Sequence, residues 1–229
     1  MDSEIFTFKR LPKIIDISAL SAATKLEDVD KLAEAAKQYG FIAAFVMPCY
    51  TEYLARKLNG NSEVIIGAPI GFPTGADLSQ SKIFQVKEMK KLGCTEFDMV
   101  IPIGMLKSGK LDYVKKDIAG VVEAADGYPV KVILEVTYLD DDEIKTGSEI
   151  VARSGAAYVK TGTGYSAKPS LVRHIKLMKE TVGDSIKIKC AGGIKSLEQL
   201  KDMYAAGAER FGIGIKSALE IIESAKTEE

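Results

Sequence analysis

Eight short apolar runs alternate with charge-rich stretches of helical spacing from one end of the chain to the other, and this alternation limits the fold more than any other feature. The runs occupy 13–18, 41–47, 64–70, 96–101, 130–136, 156–160, 185–189 and 210–215. The clearest amphipathic stretches between them are 26–39, 78–92, 111–124, 140–154, 170–181 and 197–206. Gly40, Gly93, Gly155 and Gly207 stand where a helix should end, each a few residues before the next run. Eight strand–helix units in 229 residues predict an α/β protein folded as a single (β/α)8 TIM barrel spanning 1–229. A doubly wound sheet also alternates strand and helix. It would carry a glycine-rich turn after its first strand, however, and "IIDISALSAATKLEDVD" has none.

The charges nearly cancel, with 31 Lys and Arg against 32 Asp and Glu, so no global basic field would draw nucleic acid or an acidic membrane to the surface. Cys49, Cys94 and Cys190 lack metal or redox spacing and fit free thiols in a reducing compartment. The opening "MDSEIFTFKR" has no apolar signal core, and no run is long enough to span a bilayer. The expected location is cytoplasmic.

In such a barrel the active face is built from the C-terminal ends of the strands and the loops after them. Strand alternation sends every second side chain inward, so Asp16, Asp98, Glu135, Lys160 and Lys189 are expected to converge at one mouth. Two lysines so placed have a specific chemistry. An ordinary lysine, with a pKa near ~10.4, keeps its nitrogen protonated at neutral pH. A second ammonium nearby, or burial, disfavours the charged form and frees an amine that can attack a carbonyl and form a Schiff base. A carboxylate such as Asp98 can move the protons. A strand-end lysine can equally be a salt-bridged residue, with these carboxylates as its partners. The glycines at 162 and 164, 192 and 193, and 212 and 214 follow or end three successive strands. Their amides can cradle a phosphate, although turn geometry alone would also place glycine there.

Five segments carry a resemblance that runs from about Ile14 to Ile222. They are "DIS" at Asp16, "EFDMVIPIG" at 96–104, "VILEVTYL" at 132–139, "AYVKTGTGY" at 157–165 and "IKCAGGIKS" at 188–196. Together they resemble the deoxyribose-phosphate aldolase family of class I aldolases. The resemblance implies that Lys160 forms the Schiff base, Lys189 tunes it, Asp98 relays protons and Asp16 holds a further active-site position. It also implies a phosphorylated sugar substrate bound by the loops of Gly164, Gly192, Gly193, Gly212 and Gly214. The implied reaction is reversible cleavage of 2-deoxyribose 5-phosphate to acetaldehyde and glyceraldehyde 3-phosphate. No metal or other cofactor is expected, because the iminium serves as the electron sink, and a homodimer or larger homo-oligomer is implied.

This chain departs from the family pattern in places. Gly162 replaces the serine of "KTSTG", Lys189–Gly193 reads "KCAGG" for "KASGG", and Gly212–Ile215 reads "GIGI" where serines usually face the phosphate. Lys187 stands where the family often has glycine, and the tail "SAKTEE" lacks a C-terminal tyrosine found in some members. Lys187 is expected to point inward, either paired with Glu96 or acting on Lys160 through Lys189. The altered strand-eight loop keeps open a related lysine-dependent aldolase for another phosphorylated sugar. Also open are an acid–base isomerase or synthase, and a sugar-phosphate sensor without turnover. The lone His174 is expected to be exposed and structural, and Cys190 to pack against a helix. Cys49 lies near the end of the second strand and is not expected to act at the mouth, and "KEMKK" and "LDDDE" read as solvated helix surface or capping.

Overall fold

The computed structural model describes residues 3–59 and 63–228. The first half runs β1 (Ile15–Ala19), α1 (Leu26–Tyr39), β2 (Ala43–Val46), α2 (Thr51–Leu58), β3 (Ile65–Ile70), α3 (Ser79–Lys91) and β4 (Glu96–Val100). Next come α4 (Ile103–Lys107), α5 (Leu111–Ala125), β5 (Val130–Ile133), α6 (Asp141–Ala152) and β6 (Tyr158–Lys160). The chain continues through α7 (Val172–Val182), β7 (Lys187–Ala191), α8 (Leu197–Ala205), β8 (Arg210–Gly214) and α9 (Ile215–Glu228). The eight strands are parallel and close in sequence order, β8 pairing with β1 through Asp16 and Gly212. The expected (β/α)8 barrel is the observed one.

Local sequence explains the elements. In α1, Val29, Leu32, Ala33 and Ala36 follow helical spacing and are buried against the strands. Its first turn is tied down by the Asp28 carboxylate, which accepts the Lys25 N–H at 2.8 Å. Fully burying a side chain such as Leu32 stabilises the fold by about 1.5–3 kcal/mol, and Leu32→Ala would cost about 2–5 kcal/mol. The "LDDDE" segment is a capping box: Glu143 N–H donates to Asp140 at 2.8 Å, and Asp140 N–H donates to Glu143 at 2.9 Å. The four glycines expected at helix ends all take positive φ. Strand β5 stops at Ile133, short of the expected 136, because Glu135 adopts a left-handed conformation (φ 57°) and Val136–Tyr138 form a 3-10 turn.

Both faces of β2 and β4 are buried, one by the helical layer and one by the barrel interior. A buried ion pair ties the outer layer to the sheet. Lys82 of α3 donates to Asp117 of α5 at 2.7 Å and to the carbonyl of Val100 at 2.9 Å, and Ser79 occupies the other Asp117 oxygen. Among the described residues, no helix is long and apolar enough to cross a membrane.

Candidate active site

Most barrels of this kind fill their interior with branched aliphatic side chains. Here part of that space holds charge. Three carboxylates (Asp16, Glu96, Asp98) and four cationic side chains (Lys131, Lys160, Lys189, Arg210) are buried together. Strand register brings them side by side: Asp98 lies opposite Lys131, Lys160 opposite Lys189, and Lys189 opposite Arg210.

The centre of the arrangement is one oxygen of Asp98. Oδ2 accepts from Lys160 Nζ at 2.6 Å and from Lys189 Nζ at 2.5 Å, so the two nitrogens lie no farther apart than those distances laid end to end. Lys189 also donates to Asp16 Oδ2, while Asp16 Oδ1 accepts from Arg210 Nε at 2.6 Å. The other oxygen of Asp98 accepts from Lys131 at 3.2 Å. Lys131 and Arg210 both donate to Glu96, Arg210 at 3.1 Å. The Phe45 ring forms one wall, its centre 4.6 Å from Lys189 Nζ and 5.0 Å from Lys131 Nζ. Position 67 is glycine because a Cβ there would fall 2.1 Å from that ring.

The electrostatics follow from this geometry. Burial pushes the Lys189 amine down to about 8; Asp16 and Asp98 oppose the shift, and Lys160 and Lys131 add to it. Burial alone would raise Asp98, but Lys131, Lys160 and Lys189 outweigh it and hold the carboxyl well below its ordinary range. Asp16 is likewise lowered, because Lys189, Lys131 and Arg210 outweigh its burial. Burial would lower Lys131, yet Asp98, Asp16 and Glu96 carry it above the usual lysine value. Asp98 is therefore a lasting anion between two amines, one of which loses its proton close to neutrality. Two amines on one carboxylate oxygen can exchange a proton through it. That arrangement can present a neutral amine to a carbonyl and return protons during dehydration and hydrolysis.

A cavity of about 770 Å³ opens onto these groups. Asp16, Asp98, Lys160 and Lys189 line it, as do all five candidate phosphate-loop glycines, Gly164, Gly192, Gly193, Gly212 and Gly214. Gly212 also packs on the stem of Lys189, where a Cβ would lie 3.2 Å from Cε. Glu135 turns away from the lysines. It accepts from the backbone and hydroxyl of Thr163, fastening the loop after β6. The glycine at 162 makes this contact fit, since a Cβ would sit 2.7 Å from the Glu135 carboxylate.

Besides Glu135, which was expected to converge with the lysines, two expectations need correction. Lys187 does not enter the barrel: it is exposed at the start of β7, with its ammonium 5.9 Å from the Tyr158 ring centre, and Glu96 is taken by Lys131 and Arg210. Lys187 shares its parity with Lys189 but is the first residue of the strand, where its side chain reaches water. His174 is buried rather than exposed, because its Nδ1 accepts the Leu171 N–H at the start of α7 and packing covers the ring; burial lowers its basicity. Cys49 is exposed and stands outside the cavity lining. Cys190 is buried as expected, its thiol pushed up to about 12 by burial.

Lys131, Arg210 and Phe45 were missed by sequence reasoning. Lys131 gave a usable signal, a lysine between valines inside a strand buried on both faces.

Comparison with known proteins agrees with this geometry. The model of the DeoC/LacD family of aldolases matches residues 13–223. A deoxyribose-phosphate aldolase of Sinorhizobium medicae is 42% identical over 212 residues, covering 93% of this chain and 86% of that protein. One from Staphylococcus carnosus is 41% identical over 216 residues, covering 94% and 97%. Among solved structures, the tetrameric deoxyribose phosphate aldolase of Aeropyrum pernix superposes with a TM-score of 0.88 at 28% identity, covering 100% of both chains. With a family match over nearly its whole length and a relative 42% identical, the chain belongs to the DeoC/LacD family of aldolases.

Proposed function

We propose that this protein is a Schiff-base aldolase that reversibly cleaves 2-deoxy-D-ribose 5-phosphate to acetaldehyde and D-glyceraldehyde 3-phosphate, within one catalytic domain spanning 1–229. The observation that carries the reading is the single Asp98 oxygen held by both Lys160 and Lys189. Similarity to named deoxyribose-phosphate aldolases over more than nine-tenths of the chain supports the substrate.

In the cleavage direction, the neutral amine of Lys160 adds to C1 of the open-chain sugar. Lys189, through Asp98, supplies the proton that lets water leave, giving an iminium. Loss of the C3 hydroxyl proton breaks the C2–C3 bond, and its electron pair passes into the iminium as an enamine while glyceraldehyde 3-phosphate departs. The enamine carbon then takes a proton, and water hydrolyses the imine to acetaldehyde and free Lys160. Asp16 holds Lys189 in place. The glycine loops after β6, β7 and β8 take the phosphate, with the start of α9 adding backbone N–H groups.

A second reading keeps this chemistry and changes the sugar phosphate. It is motivated by Gly214 and Ile215, which offer no hydroxyl to a phosphate, and by the open space beside Gly214. A cytoplasmic homo-oligomer belongs to the same proposal, and the tetrameric structure of the Aeropyrum pernix aldolase supports the assembly.

Incubation with acetaldehyde or deoxyribose 5-phosphate followed by borohydride reduction should add mass to the peptide holding Lys160, and Lys160→Leu should abolish the label. No label with either compound would sink the aldolase reading. Cleavage assays across phosphorylated sugars then select the substrate.

A further inference from the structure

Beneath the two lysines lies a tier of charge that does not reach the cavity. Glu96, Lys131 and Arg210 are buried, and none of them lines the pocket that Lys160 and Lys189 share. The tier nevertheless grips both carboxylates that do. Arg210 Nε occupies Asp16 Oδ1 at 2.6 Å, and Lys131 occupies Asp98 Oδ1 at 3.2 Å. Glu96 joins the two cations from below. Each upper carboxylate therefore has one oxygen anchored from beneath and turns the other toward the reactive amines.

We propose that Glu96 and Arg210 are positioning residues which, through Asp16 and Asp98, set the pH at which the Lys160–Lys189 pair releases a free amine. This rests on the reading of Lys160 as the imine-forming residue.

The argument is one of charge count in a buried volume. Four cations face three carboxylates, so the interior carries one excess positive charge when all are ionised. Coulomb interactions in a protein interior extend well past contact distance, so a charge in the lower tier acts on the pair without touching it. Loss of Glu96 leaves four cations with two carboxylates, and the pair should give up a proton more readily. Loss of Arg210 balances the charges at three and three, and the pair should hold its proton to higher pH.

The remaining surroundings stay constant in such variants. β2 contributes the uncharged ring of Phe45, and β3 presents Gly67 toward that ring. Tyr158 lies half-buried below Lys160 on β6, and Glu135 after β5 is engaged by Thr163. Asp28, Lys195 and Lys216 stand in the cavity lining.

The test is the rate of acetaldehyde trapping on Lys160 by cyanoborohydride, followed by peptide mass from roughly pH 6 to pH 10, the window that brackets a depressed and an ordinary lysine. A unit charge about 8 Å away at an effective dielectric of about 20 moves a midpoint by roughly 1.5 pH units. Glu96→Gln should shift the trapping midpoint down by about that amount and Arg210→Met up by a similar one. The double variant should return close to the wild type. Shifts of the same sign, or a slower rate with an unmoved midpoint, would mean a merely structural tier and overturn the proposal. Should Arg210→Met fail to fold, Lys131→Gln removes a cation from the same tier and must shift the midpoint upward. Should Glu96→Gln fail, the double variant must lie below the cation variant alone. A wild type that traps nothing refutes the aldolase reading instead, so the two failures are distinguishable.

Discussion

Replacing Lys189 with methionine should separate the stability of this barrel from its chemistry. The side chain is fully buried, and its amine falls from an ordinary 10.5 to about 8 even with Asp16 and Asp98 beside it. The sign follows from linkage. A lysine whose folded value lies below its unfolded value binds its proton less well in the fold, so its charge opposes folding fully below pH 8. That penalty is relieved as pH rises from about 8 through 10.5. The gap of about 2.5 pH units corresponds to roughly 3 kcal/mol at pH 7. Methionine approximates the stem without the charge, and no carboxylate is orphaned: Asp16 keeps Arg210, and Asp98 keeps Lys131 and Lys160. Weaker attraction among the survivors takes back part of the gain. Urea unfolding at pH 7 should therefore show Lys189→Met as stable as the wild type or more so, by up to about 3 kcal/mol, with the difference shrinking toward pH 10. Acetaldehyde trapping at Lys160 should fall about 10²–10⁴-fold for want of a proton donor. A variant that loses more than about 2 kcal/mol at pH 7, with the wild type's own pH slope, would refute the charge argument.

Two further outcomes follow from contacts outside the lysine pair. Lys82→Met leaves Asp117 buried with only the Ser79 hydroxyl, and should lower stability in urea by about 3–5 kcal/mol while leaving trapping at Lys160 intact in the folded fraction. The Tyr165 hydroxyl donates to the Leu20 carbonyl at 2.5 Å and its ring meets Phe72 edge-on, which joins three loops at the mouth. Tyr165→Phe keeps the ring contact and loses the hydrogen bond, so KM should rise about 2- to 10-fold with little change in kcat.

Local signals made the frame readable. Helix α1 begins and ends where its spacing and Gly40 placed it, and each of the eight apolar runs overlaps a strand, with β1 and β7 continuing past the expected ends at 18 and 189. The two short helices α2 and α4 carried no such signal, because eight or five residues give too few turns for a periodicity to emerge. Within the site, Asp16, Asp98, Lys160 and Lys189 were legible because each is a polar residue at the inward parity near a strand end. Depth and partner choice were not. Lys187 and Lys189 share a parity, yet one meets water and the other is 1% exposed, since parity does not say how far down the barrel a residue lies. Glu96 was assigned to the wrong lysine because its partners come from β5 and β8, and their approach depends on the register of a closed barrel rather than on neighbours in sequence.

The departures from the family pattern fall where this division would put them. The proposed reacting groups sit on strands whose hydrogen-bonded register fixes Lys160 beside Lys189 and Asp98 beside Lys131, so a change there would disturb several ion pairs together. The altered residues lie at strand ends and in loops, where one substitution is absorbed locally. Gly162 shows how: without a side chain at that position, the Glu135 carboxylate comes close enough to hold the Thr163 backbone and hydroxyl, and the loop is fastened by a charge-assisted contact. Gly214 has no such compensation. A Cβ there would meet nothing nearer than the Ser18 carbonyl at 4.0 Å, so the missing hydroxyl leaves space and not a new bond. The buried lysine cluster is thus overdetermined by the barrel, whereas the proposed recognition of the far end of the substrate would rest on loops that changed without disturbing it.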